Sequence, residues 1–160
     1  MSKICFVDTS VLVELLNIPG MNAHHEDAKL EYQLMAEEEN VFILPVATLV
    51  ETGNHIAHIS DGSLRYSIAL KFAELIEKAR TSIDNWNVQP EISSEVLGRI
   101  IEQIPSHANV QTGFGDISII EQFLDYQENH QPIGEMCIWS YDHHLQSYSY
   151  IGGLTRRKNK

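Results

Sequence analysis

Basic residues are scarce in this sequence: 11 lysines and arginines face 22 aspartates and glutamates across 160 residues, a formal net charge of −11. A protein that coats a duplex is normally basic, so nonspecific DNA binding by the body of the chain is disfavoured. Four of the bases, Arg156, Arg157, Lys158 and Lys160, fall within the last five residues, so the remainder is more acidic still. Such a body remains compatible with a site for divalent cations. Cysteine is scarcer, with only Cys5 and Cys137, each inside an apolar strand-like run. Free buried thiols behave in this way and suit a cytoplasmic protein. A disulfide would require the two strands to be neighbours, and none is expected. No apolar run approaches the roughly 18 residues that span a bilayer, so no membrane partner is expected. The stretch before Asp8 is too short and mixed for a signal peptide. The G-x-S-x-G setting of serine hydrolases and the G-x-x-x-x-G-K-[ST] phosphate loop are both missing. The eight histidines include His24-His25, His143-His144 and the spaced pair His55 and His58. Without a cysteine pair to complete a zinc site, they read as surface residues.

What is present is alternation. The 43% apolar share fits a globular chain, and one of this length buries about 70% of its unfolded surface, enough for one domain. Apolar strands are predicted at 4–7, 41–44, 86–88, 135–140 and 148–151. Between them lie helical patterns: a short one after Asp8, then 22–39, 46–59, 63–80, 92–104 closed by Pro105, and one beginning at Asp116. Short apolar strands separated by helices predict an α/β protein with a parallel sheet of about five strands, covered on both faces. Ligands of such sheets sit beyond the C-terminal strand ends. The domain is expected over 1–155, with 156–160 as a basic tail that either meets phosphates or frays into solvent.

The carboxylates gather interest at those ends. Asp8 stands in 3-KICFVDTSVLVELL-16, at the seam where a strand pattern becomes a helix face. Asp142 follows the strand 135-EMCIWS-140. Glu51 lies in 46-VATLVETGNHIA-57, on the helix after the second strand. Asp116 opens 116-DISIIEQFL-124 after Gly113-Phe114-Gly115. Singly, each has an ordinary reading: Asp8 and Asp116 as helix caps, Asp142 as a turn residue, Glu51 as a solvated helix position. Those readings do not predict four acids at one sheet edge.

VDTSVLVELL, a glutamate in an apolar helix after the second strand, GDISIIEQFL, and a hydrophobic strand running into SYDHHL occur here in an order that resembles PIN-domain nucleases. The resemblance spans nearly the whole chain. It implies a three-layer α/β/α fold with a central parallel sheet, and an acidic cluster of Asp8, Glu51, Asp116 and Asp142. It also implies metal-dependent cleavage of RNA phosphodiester bonds, and many such proteins are VapC-type toxins held inactive by an antitoxin. The chemistry agrees, because carboxylates approach a phosphate only with cations between them. Mg²⁺ and Mn²⁺ favour oxygen ligands, and two such ions about 4 Å apart can activate water and stabilise the leaving oxygen.

Asp8, Asp116 and Asp142 are therefore the expected ligands, directly or through water, while Glu51 completes the cluster or orients the attacking water. Thr9, Ser10 and Ser140 are expected either to support the cluster through their hydroxyls or to act as caps. Two departures stand out. His144 occupies a place where relatives often carry a further acid, which bears on a second ion and on a preference for Mn²⁺. The scattered bases Arg65, Lys71, Lys78, Arg80 and Arg99 make no obvious RNA-binding face. The competing functions are a catalytically silent PIN-like binding module and an aspartyl-phosphate enzyme or receiver. Ser10 in the D-x-D position argues against a phosphatase of the latter kind. The segments 22–39 and 63–80 are candidates for contact with an antitoxin or a homodimer partner, or for core packing alone.

Overall fold

The computed structural model describes residues 2–130, 134–151 and 154–157. The elements run β1 (Lys3–Val7), α1 (Thr9–Leu15), α2 (His25–Glu37), β2 (Val41–Pro45), α3 (Val46–Ala57), α4 (Gly62–Arg80), β3 (Trp86–Gln89), α5 (Ser94–Asn109), α6 (Phe114–His130), β4 (Glu135–Trp139), α7 (His143–Gln146), β5 (Tyr148–Ile151) and β6 (Leu154–Arg157). They form one sheet in the order β3-β2-β1-β4-β5-β6. The first four strands in that order are parallel, and β5 and β6 add antiparallel to the β4 edge. The parallel sheet between helices is as expected, but the strand count is higher than about five. The additional strand is β6, which reaches Arg157, so Arg156 and Arg157 belong to a paired strand while Lys158 and Lys160 lie outside the described residues. Only residues 152 and 153 separate β5 from β6, and an antiparallel pair needs no more than a two-residue connection.

Alternation along the strands feeds two cores. Cys5 and Val7 of β1, with Phe42 and Leu44 of β2, pack beneath α1, α3 and α4 through Val11, Leu12, Ile56, Ile68 and Phe72. Phe6 and Ile43 point to the other face, where Ile119, Ile120 and Phe123 of α6 cover them. Phe6 also meets Phe123 and Tyr126 edge-on, with ring centroids 5.6 and 5.5 Å away. Its truncation to alanine would cost about 3–5 kcal/mol. A smaller cluster of Val96, Ile100 and Ile117 ties α5 to α6. Among the described residues no helix is long and apolar enough to cross a membrane.

Two helix ends depart from the sequence expectation. Helix α5 does not close at Pro105 but runs on to Asn109. A helical proline frees the carbonyl four residues earlier, here that of Ile101, which is exposed and open to water. Helix α6 starts at Phe114, so Asp116 sits in its first turn rather than at the cap.

The strand order positions the site. From β1 the chain crosses to β2 on one side, while β4 lies on the other. The C-terminal ends of β1 and β4 therefore flank the crevice where parallel α/β sheets bind ligands. The ladder continues one residue past β1, with Asp8 N donating to Trp139 O at 3.0 Å.

Candidate active site

Asp8 is both a cap and a member of a cluster. Its backbone is extended, and its carboxylate accepts from Ser10 N as the N-cap of α1. The same oxygen, Oδ2, accepts from Ser10 Oγ at 2.6 Å and from Ser140 Oγ at 2.8 Å. Asp8 is only 4% exposed, so these donors replace the water that burial takes from its carboxylate. The two hydroxyls also accept backbone bonds from the end of β4: Tyr141 N donates to Ser10 Oγ at 3.0 Å and Asp142 N to Ser140 Oγ at 2.9 Å. Ser10 and Ser140 thus stitch the ends of β1 and β4 together around Asp8.

Glu51 arrives from α3. The start of that helix is anchored by Thr48, whose Oγ1 donates to Val7 O at 2.8 Å. One turn on, Glu51 Oε2 accepts from Thr9 Oγ1 at 2.8 Å. The other carboxylate oxygen lies against Gly115 so closely that a Cβ there would collide with it. Gly115 is therefore the residue that lets α3 bring a carboxylate up to the first turn of α6. In the sequence it reads only as part of the Gly113-Phe114-Gly115 turn. The available signal was a glycine directly before the Asp116 that opens the helix.

Asp116 is half-buried beside that close approach. Burial, followed by the charges of Asp8, Glu51 and Asp142, pushes its pKa up to about 6, against a small opposing pull from His144. Four carboxylates from β1, α3, α6 and the end of β4 are thus brought within electrostatic range. Asp142 is exposed and caps α7, its Oδ1 accepting from His144 N at 2.8 Å. Capping accounts for Asp8 and Asp142 but for neither Glu51 nor Asp116. The three hydroxyls weighed between capping and support all reach carboxylates, Thr9 to Glu51 and both serines to Asp8.

As the side chains stand, no three His, Cys, Asp or Glu groups among the described residues are gathered closely enough to hold a metal ion. Asp8, Glu51 and Asp142 are turned toward their own hydrogen-bond donors. The unbalanced negative charge at Asp116 is nevertheless the electrostatic setting that favours a cation. Beside Glu51 an apolar groove of about 260 Å³ opens, lined by Val46, Val50, Ile92 and Phe114. The other histidine pairs stay apart from the cluster; His24 interacts with Asp27 and His58 with the carbonyl of Asn54.

No sequence-family model matches the chain, and neither does any curated protein. Among solved structures, the chain is similar to VapC20 of Mycobacterium tuberculosis, described as a sarcin-ricin loop cleaving toxin. The two share 18% sequence identity over 88% of this chain and 92% of that one, with a TM-score of 0.59. Likeness at that level of identity establishes architecture, and it agrees with the strand order and the resemblance carried by VDTSVLVELL and GDISIIEQFL: the chain has the α/β fold of a VapC-like PIN domain.

Proposed function

We propose that this protein is a metal-dependent endoribonuclease that hydrolyses RNA phosphodiester bonds, acting in the cytoplasm as the toxin of a toxin–antitoxin pair. The observation that carries the reading is the convergence of Asp8, Glu51, Asp116 and Asp142 at one sheet edge, joined through Thr9, Ser140 and the close approach of Glu51 to Gly115, and the raised pKa of Asp116 agrees with it. Independent caps scattered over a surface would not perturb one another in this way. The fold likeness to an RNA-cleaving toxin supports the same conclusion.

Asp8, Glu51, Asp116 and Asp142 would hold Mg²⁺ or Mn²⁺, whose oxygen-ligand chemistry suits a carboxylate set. When bound, the ion supplies neutralising charge for the phosphoryl group and lowers the pKa of water. The protein's part is to hold and aim the acids. Ser10 and Ser140 fix Asp8, Thr9 fixes Glu51, and Gly115 clears the path of Glu51 to the cluster. Asp116 must lose its proton to hold the ion, so binding of the ion should weaken as pH falls through about 6.

Many of the described bases already serve ion pairs, including Lys3 with Glu135, Lys78 with Asp84, Arg80 with Glu77 and Arg99 with Glu121. This supports a role in RNA binding for the basic run at 156–160. Exposed Leu30 and Leu34 on α2, with Leu64, Tyr66 and Leu70 on α4, offer apolar surface for an antitoxin or a second copy of the chain. A receiver reading fits less well, because Asp8 is enclosed and its Oδ2 is already taken by two serine hydroxyls.

The test is direct. Purified protein incubated with single-stranded RNA should cut it in Mg²⁺ or Mn²⁺ and stop in EDTA. Cleavage persisting unchanged in chelator would refute the mechanism.

A further inference from the structure

The two cysteines stand opposite each other on adjacent strands. Cys5 of β1 and Cys137 of β4 are register partners in the parallel ladder, and their side chains share one face of the sheet. Their sulfurs lie 3.6 Å apart, within hydrogen-bonding reach. Neighbouring strands are spaced by about 4.8 Å, inside the roughly 4.4–6.8 Å Cα span that disulfides bridge. The condition that the sequence set for a linkage, neighbouring strands, is met. Both thiols are free.

Their access to solvent differs. Cys5 is fully enclosed, whereas half-buried Cys137 lines a cavity of about 350 Å³ together with Lys3, Glu31, Glu38 and Trp139. The hydrogen bond with Cys5 lowers the Cys137 pKa, burial opposes this, and the Lys3 ammonium lowers it further. The same hydrogen bond and burial push Cys5 up. The reachable thiol is thus the one a solute meets first, and the enclosed thiol waits beside it, an arrangement suited to attack followed by resolution.

We infer that Cys5 and Cys137 are an oxidation site for small hydroperoxides, closing to a reversible disulfide across β1 and β4. The Cys137 thiolate attacks one peroxide oxygen; the S–O bond forms, the O–O bond breaks, and the leaving oxygen takes up a proton as alcohol or water. Cys5 sulfur then attacks Cys137 sulfur; the S–S bond forms, the S–O bond breaks, and water leaves. Two thiols are oxidised by two electrons and one hydroperoxide is reduced. The link falls three residues before Asp8 on one strand and three before Ser140 on the other, so it clasps the two strands whose ends Ser140 joins to Asp8. This inference does not depend on the nuclease reading.

The experiment treats reduced whole protein with hydrogen peroxide, then counts thiols under denaturing conditions and maps peptides without reductant. The expected result is loss of both thiols within one chain, a mass lower by two hydrogens, a 5–137 cross-linked peptide, and full recovery with dithiothreitol. Cys5→Ser should instead trap Cys137 as a sulfenic acid that reacts with dimedone, and Cys137→Ser should leave Cys5 reduced. The inference is overturned if the wild type keeps two titratable thiols, gains oxygen at Cys137 without linking, or links only between chains. Equal oxidation of Cys5 in Cys137→Ser would overturn it as well, because the route through the cavity would be wrong.

Discussion

Asp8 and Asp116 belong to one acidic cluster, but the protein surrounds them differently. Asp8, at the end of β1, receives a backbone N–H and two serine hydroxyls. Asp116, in the first turn of α6, receives burial and the charges of three other carboxylates, and its pKa rises to about 6. The β1–β4 side of the crevice therefore meets its carboxylate with local donors, while on the α6 side the repulsion at Asp116 is opposed, among the described residues, only weakly by His144. On this account the imbalance is functional: Asp8 is fixed in place by the fold, and Asp116 is where an added cation would relieve the most repulsion.

The largest expected effect separates the two residues by the sign of their stability change. Asp8→Asn and Asp116→Asn should each lower RNA cleavage by at least about a hundredfold, on the scale of removing one strong electrostatic interaction from such a site. Denaturation in chelator at pH 7.5 should then divide them. Asp8→Asn should destabilise by about 1–3 kcal/mol, because it disturbs a buried acceptor of several hydrogen bonds. Asp116→Asn should stabilise, because it removes the unbalanced charge. Two variants that move in the same direction would erase the distinction drawn between the two sides.

Titration sharpens the same contrast. The folded pKa of Asp116, about 6, lies above its ordinary 3.8, so the folded state binds this proton more tightly than the unfolded chain. The resulting stability is fully present below about pH 4 and is lost as pH rises through 6. The stability advantage of Asp116→Asn over wild type in chelator should therefore be near zero at pH 4 and grow across that window. For this half-buried group it should reach on the order of 1–2 kcal/mol above pH 7, after allowance for solvent screening. Urea denaturation of both proteins across the range would measure it, and a flat difference would show that Asp116 is not strained.

How much of this was legible in the sequence follows from where each signal lies. Asp8 and Asp142 stand out because the hydrophobic period changes beside them, from strand to helix at 3–16 and out of the strand at 135–140. Glu51 and Asp116 are marked only by position, on the helix after the second strand and after the Gly113-Phe114-Gly115 turn, and the resemblance joins all four acids into one cluster. Gly115 escaped notice, because the group it makes room for belongs to another helix, distant in the chain. The passage of α5 through Pro105 was hidden because proline normally stops a helix, and only the exposure of Ile101 makes the exception cheap. β6 was hidden for the opposite reason. Leu154-Thr155-Arg156-Arg157 shows no apolar alternation, and charged residues are what sheet edges commonly carry.

A subtler change tests the α3–α6 side alone. In Gly115→Ala the new Cβ meets the far end of a flexible side chain, so Glu51 should swing away at little cost in folding. Alanine is also the better helix residue, by about 0.5–1 kcal/mol. Melting should therefore change little while cleavage falls about tenfold or more through a displaced carboxylate. Unimpaired cleavage would remove Glu51 from the working set. The smallest expected effect concerns the basic strand and tail. Replacing Arg156 and Arg157 with glutamine should flatten the salt dependence of RNA binding, by about 0.7 in logarithmic slope for each phosphate no longer neutralised. An unaltered slope would assign those arginines to the sheet edge alone.

The central claim, that the acidic edge is a cation site, is tested most directly by following the melting temperature of wild type and Asp116→Asn as Mn²⁺ is added without RNA. A cation that binds only the folded state adds about 2.7 kcal/mol at a hundred times its Kd. The wild type should therefore rise by several degrees while Asp116→Asn stays nearly flat. A wild type indifferent to millimolar Mn²⁺, or a variant that responds equally, would contradict the account.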